Sequence, residues 1–407
     1  MNFLKKINLG VILIVILAFL LGFQVGTKGT QIRWEKGFQF SVENQEPPPN
    51  ININFKLFWD TWDLLSKEYF DKKALDPEKL FYGAIQGMVS AVGDPYTVFL
   101  TPQQQKSSKE ELNGSFEGVG IQLGFNKDKR LVVMTPLNGT PAEKAGIKAD
   151  DLIVKIDDKD TTGISLPEAV QLIRGPKDTK VELTILREGE EEPLEFSLVR
   201  DTIVVKSVEL TFKETPGGKK VAVIKLSRFS ERLKEEWEAI VSDILGNNIS
   251  GVILDVRNNP GGYLEGAVFV SSEFLKNGDV VLQENNQGER RAFEVNRKGV
   301  LLDNPMVVII NKGSASASEI VAGALQDRNR ATIVGEKSFG KGTIQEAQDL
   351  EGGTGIHITV AKWLTPNGQW VNETEGLEPD VVVEMPKEVE EEEKKDPQLE
   401  KALEILE

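Results

Sequence analysis

The sequence predicts a multidomain α+β chain made of an N-terminal membrane helix, a small helical unit, a partly open β-barrel and an α/β core. Three observations carry that expectation. At 407 residues, 40% apolar and 28% charged, the chain can bury a full core and has room for two or three domains. The spacing of apolar residues changes twice, from a helical period to strict alternation and then to apolar runs separated by amphipathic stretches. A run of uncharged, mostly apolar residues sits behind two lysines at the N-terminus.

Lys5 and Lys6 precede an apolar run over residues 9–23 that continues to Val25, a length between a signal-peptide core and a full membrane span. A cleaved secretory signal is the competing reading. No small-x-small site follows in Gln24-Val25-Gly26-Thr27-Lys28, so residues 1–26 are expected to be an uncleaved signal-anchor, basic end in the cytoplasm and body outside. Residues 27–51 are polar, end in Pro47-Pro48-Pro49 and read as a linker. Phe58, Trp59, Trp62, Leu65 and Tyr69 then recur at helical spacing, and Leu80, Ala84, Met88 and Val89 repeat it after Asp76-Pro77 opens a second helix, giving a helical unit over 52–105.

Over 106–200 the pattern alternates: Val119, Ile121, Leu123 and Phe125 point one way. Further strands are expected at 131–135, 151–156, 180–187 and 194–199, with short helices at 141–146 and 166–174. Such short elements in so few residues suit a small barrel that binds better than a catalytic core. From 201 to 383, apolar strands at 221–226, 251–256, 306–311 and 331–334 alternate with helices at 231–245, 263–275 and 317–327, which means a sheet covered on its faces. Residues 384–407 read as a solvated charged tail with a short helix at 397–406.

Charge and absences narrow the chemistry. A net charge of −16 argues against a nucleic-acid surface. Nine Glu and one Asp against four Lys fall in the tail from residue 384, so the body is only mildly acidic. With no Cys there is no thiol nucleophile or thiolate site, and with one His, His357, no His-rich zinc site. No metal and no cofactor are expected.

Three glycine-rich segments fall at strand ends of the α/β region, where such sheets place ligands. They are Asn258-Asn259-Pro260-Gly261-Gly262, Gly313-Ser314-Ala315-Ser316-Ala317-Ser318-Glu319 and Phe339-Gly340-Lys341-Gly342. The first reads most simply as a turn. In the second, a serine between strand and helix would sit beside free backbone N–H groups able to stabilise an oxyanion. The plainer reading is a capping box, Ser316 to Glu319, and spacing alone leaves Ser314, Ser316 and Ser318 open as nucleophile. Residues 335–341 match most of a phosphate-binding loop, but Gly342 stands where a hydroxyl should reach magnesium. The plainer reading of Gly340-Lys341-Gly342 is a glycine-rich hairpin with an exposed lysine, but for a serine nucleophile Lys341 is the candidate base, because His357 sits in an alternating strand and burial can lower a lysine's pKa.

With these segments in this order, and Gly93-Asp94-Pro95-Tyr96-Thr97 after the second helix, the chain resembles the carboxyl-terminal processing peptidases, or tail-specific proteases, over about residues 52–383. The resemblance implies a serine-type endopeptidase on a core of the Clp protease/crotonase type. It implies Ser316 as nucleophile, Lys341 as base 25 residues on, and Gln345 as the residue that orients the lysine. It also implies an oxyanion hole from the N–H of Ala317 and of Gly261 or Gly262, a choice left open. Residues 113–190 resemble the family's inserted PDZ domain, in which Gly118, Val119, Gly120 and Ile121 would receive the carboxylate of an apolar C-terminus. Arg174 matches a residue that couples peptide binding to the protease. Relatives have Pro-Gly where this chain has Ala149-Asp150, and Asp tolerates a left-handed backbone. The expected partners are protein substrates held by their C-termini, the membrane, no nucleic acid, and a second copy paired through the helical unit and C-terminal segment. The rival from another class is a catalytically silent, membrane-tethered PDZ scaffold.

Overall fold

The computed structural model describes residues 16, 17, 19, 30–32, 42–44, 53–386 and 396–407. The expected anchor lies almost entirely outside the described residues, and among those described no helix is long and apolar enough to cross a membrane. The chain divides into two compact units, Met1–Leu80 and Phe81–Glu407, a division that falls inside the helical unit expected over 52–105.

In the first unit, β1 (Thr30–Ile32) pairs antiparallel with β2 (Val42–Asn44) within the stretch expected to be a bare linker. α1 (Lys56–Glu68) follows the aromatic spacing, with Phe58, Trp59 and Trp62 in ring contact along it. α2 (Pro77–Ser90), whose residues from Phe81 onward belong to the second unit, begins where Asp76 was expected to start it, the Asp76 carboxylate accepting the N–H groups of Glu78 and Lys79.

In the second unit, β3 (Val98–Leu100) leads into α3 (Pro102–Asn113), opened by a Thr101/Gln104 capping box and closed by Gly114 at φ +69°. The alternating region then forms β4 (Ser115–Gly118), β5 (Ile121–Phe125), β6 (Leu131–Pro136), α4 (Pro141–Lys144), β7 (Leu152–Ile156), β8 (Lys159–Asp160), α5 (Leu166–Ile173), β9 (Lys180–Leu186) and β10 (Leu194–Val199). Its sheet runs β10-β9-β7-β6-β5 around a core that includes Val119, Val133, Ile153, Ile156 and Ile185. Asp150 takes the left-handed backbone, φ +66°, that its turn demands. β11 (Asp201–Val204) pairs with β4 in a separate two-stranded sheet.

The core comprises β12 (Val208–Glu214), β13 (Lys220–Leu226), α6 (Leu233–Leu245), β14 (Gly251–Asp255), α7 (Leu264–Phe274), β15 (Asp279–Asn285), β16 (Arg290–Glu294), β17 (Met306–Ile310), α8 (Ala317–Asp327), β18 (Thr332–Gly335), β19 (Thr343–Asp349), β20 (Gly355–Leu364), β21 (Val381–Val382) and α9 (Pro397–Ile405). The main sheet, β12-β13-β14-β17-β18-β21, is parallel from β13 onward with β12 antiparallel at its edge. Its strands are buried on both faces, which explains their continuous apolar runs. Ala222 and Ile224 face a cluster with Trp237 and Phe274, whereas Val221 and Val223 face Ala402 and Leu406 of α9. A second sheet, β16-β15-β20-β19, also takes β3 against β20.

The expectation of a solvated tail is therefore corrected for residues 396–407. The helix forms as expected, but Gln398 and Ala402 are fully buried and Asp396 pairs with Arg257 at 2.7 Å. The apolar stripe Leu399, Ala402, Leu403 and Leu406 covers a sheet face whose exposed valines and isoleucines would each cost about 1.5–3 kcal/mol.

Candidate active site

Parallel strands β14 and β17 end side by side, and the two turns that follow them are stitched together. Asn259 donates to the Leu226 carbonyl at 2.8 Å, accepts the Gly261 N–H at 2.9 Å, and its own carbonyl accepts the Ala315 N–H at 3.0 Å and the Ser318 hydroxyl at 2.8 Å. The Ser314 hydroxyl donates to the Val256 carbonyl at 2.8 Å. Ser314 and Ser318 are thus wholly buried with their hydroxyls spent on backbone carbonyls.

Ser316 differs from both. It lines a cavity of about 510 Å³ together with Gly261, Gly262, Ala317, Lys341 and Gln345. Its backbone stands at φ +55°, ψ −114°, a region that favours glycine and costs a side-chain-bearing residue about 1–3 kcal/mol. A serine serving only as N-cap would adopt the extended conformation. Such strain at a strand-to-helix turn is the geometry that presents a nucleophilic hydroxyl.

Gly261, at φ +103°, abuts this turn: a Cβ there would lie 2.9 Å from the Ser316 Cβ and 3.1 Å from the Ala317 nitrogen. Among the described residues the N–H groups of Gly262 and Ala317 meet no acceptor, while that of Gly261 is taken by Asn259.

Glu319, in the first turn of α8, is fully buried and binds four donors. Its Oε2 accepts the N–H of Ser316 at 2.7 Å and of Lys341 at 3.0 Å; its Oε1 accepts the N–H of Gly340 at 2.7 Å and the Ser338 hydroxyl at 2.5 Å. One carboxylate thus ties the serine turn to the lysine loop. Burial raises its pKa above the usual carboxylate range even though all four hydrogen bonds favour the anion. The capping-box spacing signalled this residue, but only as a local helix start.

Gly340 and Gly342 let the lysine loop press against residues 370–376. A Cβ on Gly340 would lie 2.9 Å from the Glu375 carbonyl carbon, and one on Gly342 would lie 2.5 Å from the Trp370 indole nitrogen. Burial pushes the Lys341 amine below the ordinary lysine range, against the opposing pull of Asp94 and Glu319. Its Nζ lies 5.0 Å from the centre of the Tyr96 ring and, among the described residues, hydrogen-bonds to no protein group, Ser316 included. Gln345 shares the cavity, but its amide donates to Thr343 at 2.9 Å and Thr359 at 3.1 Å. His357 also lines the cavity, its pKa lowered by burial and by the Lys341 charge. Neither the Glu319 hub nor the approach of Tyr96 to Lys341 was visible in spacing alone, although Asp94 and Tyr96 belong to a motif the sequence singled out.

The predicted peptide-binding residues lie apart from this cavity, in the barrel. Val119 and Gly120 join β4 to β5, Gly120 at φ +79°, and among the described residues their N–H groups meet no acceptor. Gly118 closes β4 and Ile121 opens β5. Arg174 stands at the end of α5, 4.4 Å from the Phe116 ring centre and 3.8 Å from Glu110 on α3.

A small barrel beside an α/β core, with a strained serine and a half-buried lysine on one cavity, defines a PDZ-bearing serine-type peptidase. Residues 220–383 match peptidase family S41, residues 132–187 match the PDZ domain, and residues 29–104 match the activating protease CtpB N-terminal domain. The carboxyl-terminal-processing protease of Synechocystis sp. is 40% identical over 348 residues, covering 81% of this chain and 81% of that protein. The carboxy-terminal processing protease CtpA of Bacillus subtilis is 38% identical over 349 residues, covering 85% and 72%. A solved S41 protease from Bacteroides fragilis shares the fold, with TM-score 0.54 at 16% identity, covering 86% of this chain and 92% of that one. The chain belongs to the carboxyl-terminal-processing protease family of serine-type peptidases.

Proposed function

We propose that this protein is a membrane-anchored endopeptidase that cleaves proteins near their C-termini outside the cytoplasm. The N–H groups of Val119 and Gly120, with Gly118 and Ile121 beside them, take the terminal carboxylate of an apolar tail that adds as a strand along β5. Neutral Lys341 accepts the Ser316 proton; Ser316 Oγ attacks the scissile carbonyl; the N–H groups of Gly262 and Ala317 hold the oxyanion. The tetrahedral intermediate then expels the amine, which takes the proton from Lys341, and water hydrolyses the acyl-enzyme. Gly262 is preferred to Gly261 because the latter's N–H is already bound to Asn259. The lysine tip must swing from Tyr96 toward Ser316, a tightening of the kind substrate binding produces.

The observation that carries the reading is the strained Ser316, on the cavity wall with Lys341, flanked by two serines whose hydroxyls are committed. Purified body lacking residues 1–52, given an unfolded substrate with an apolar tail, tests it. Ser316→Ala and Lys341→Arg should each abolish cleavage while tail binding persists, since guanidinium stays protonated. Cleavage retained in Ser316→Ala would refute the assignment. Anchoring rests on Lys5, Lys6 and the apolar run over residues 9–25, and recovery of the full chain in a carbonate-washed membrane fraction tests it. The same reading pairs two copies through the helical unit, whose α1 exposes Leu57 and Trp59; a monomer in sedimentation at micromolar concentration would exclude it.

A further inference from the structure

The motif Gly93-Asp94-Pro95-Tyr96-Thr97 supplies no group to the bond-making steps above, yet its turn packs against the lysine. Two sets of contacts place it there. First, β3, which begins one residue later, pairs with β20 so that Val98 lies opposite His357. The turn is thereby fixed beside the strand that carries the cavity wall.

Second, the turn is wired internally and across to that strand. The Asp94 carboxylate accepts the Tyr96 N–H at 3.0 Å and the Thr97 hydroxyl at 2.6 Å. The Thr97 hydroxyl in turn accepts the Thr359 N–H at 3.1 Å, and the Thr359 hydroxyl accepts the Gln345 amide at 3.1 Å. Burial alone would raise the Asp94 pKa, but hydrogen bonds from Thr359, Thr97 and the turn's N–H groups outweigh it and hold the carboxylate ionised. The far end of this network presents the Tyr96 ring to the Lys341 ammonium at 5.0 Å.

We propose that Asp94 and Tyr96 are positioning residues for the lysine, the Tyr96 ring providing a resting place for its ammonium and Asp94 holding that ring in place through Thr97 and Thr359. The inference rests on Lys341 being the base. An aromatic face attracts the ammonium and not the neutral amine, so the ring stabilises the resting, protonated lysine. The other groups whose charge reaches Lys341 are Glu319 on α8, whose negative charge acts in the same direction as that of Asp94, and His357 on β20, which is neutral above its lowered pKa. The Tyr96 phenol stays neutral, because burial and then the charges of Glu319 and Asp94 raise its pKa.

The sign follows. Removing a group that favours the ammonium makes the lysine lose its proton more easily, so the acid limb of the pH–rate profile moves to lower pH. In kcat/KM profiles and in pH-dependent labelling of Ser316 by a fluorophosphonate, Tyr96→Leu should move that limb down by about half a unit to one unit. Tyr96→Phe keeps the ring and should leave the limb in place. Asp94→Asn keeps the shape and loses the charge, and should shift it in the same direction as Tyr96→Leu. A merely structural turn would lower activity by the same factor at every pH.

An acid limb within about 0.2 unit of wild type in both Asp94→Asn and Tyr96→Leu overturns the inference. Should Tyr96→Leu fail to fold, as judged by circular dichroism, Asp94→Asn and Tyr96→Phe carry the test. Lys341→Arg separates the two levels. If that variant still cleaves, the lysine is not the base and the proposed mechanism fails; if it is dead and the limb is unmoved in the turn variants, only the role of the turn fails.

Discussion

Replacing Glu319 by glutamine separates a helix cap from a hub that joins the two halves of the site. Its two oxygens accept two hydrogen bonds each, Oε1 from Ser338 and Gly340, Oε2 from Ser316 and Lys341. A glutamine keeps one acceptor oxygen and turns N–H groups toward the other pair; the Ser338 hydroxyl can rotate to accept, so one or two backbone N–H groups lose their partner according to how the amide settles. At about 1–3 kcal/mol per unsatisfied donor, the substitution should cost about 1–6 kcal/mol. A capping box accepts glutamine as readily as glutamate, so a residue acting only there would cost well under about 1 kcal/mol. Thermal unfolding followed by circular dichroism should show Tm falling by roughly 10 °C. Peptide cleavage assayed well below that Tm should show kcat down about 10²-fold, because every N–H that can lose its partner belongs to the serine turn or the lysine loop. A Tm within about 2 °C of wild type, with kcat unchanged, would refute the idea that Glu319 joins the two turns.

Gly261→Ala should abolish cleavage while leaving tail binding intact, since its Cβ would lie 2.9 Å from both the Ala315 carbonyl and Ser316 Cβ on a backbone at φ +103°; wild-type kcat in that variant would show the turn yields cheaply. The kcat/KM profile should rise with pH through the lowered pKa of Lys341, because only the neutral amine accepts a proton, and a profile flat at acid pH would exclude the lysine. Asp396→Asn should lower stability at pH 7 by about 1–2 kcal/mol in urea titration, as Arg257 loses one carboxylate of two at a site about a third exposed. Burial opposes ionisation of Asp396, but the hydrogen bonds from Arg257 win and depress its pKa below 3.8. Its contribution is therefore present above 3.8 and lost as pH falls through the depressed value, so the gap between variant and wild type should close in acid; a gap constant with pH would contradict the linkage.

Local pattern was enough wherever a residue's role depends on its own neighbours in the chain. The strands of the main sheet announce themselves as apolar runs because both faces are covered, and Asp76 and Asp150 act within a few residues of where they stand. The three candidate serines were indistinguishable by spacing, because what separates them is the carbonyls of Val256 and Asn259 from another turn, which occupy Ser314 and Ser318 and leave Ser316 on the cavity wall. That the Gly261 N–H is spent and the Gly262 N–H is not has the same origin, the side chain of Asn259. The acidic C-terminus looked solvated because composition averages over a stripe of four apolar residues, which finds its partner only when the sheet presents a bare face. Sequence alone thus determined most of the elements, the PDZ and peptidase regions and a short list of candidate residues, since these follow from periodicity and residue chemistry. Only the tertiary structure decided which hydroxyl is on the cavity wall, which N–H groups are unspent, and that Glu319 and Tyr96 meet the lysine segment, because those facts depend on groups brought together from distant parts of the chain.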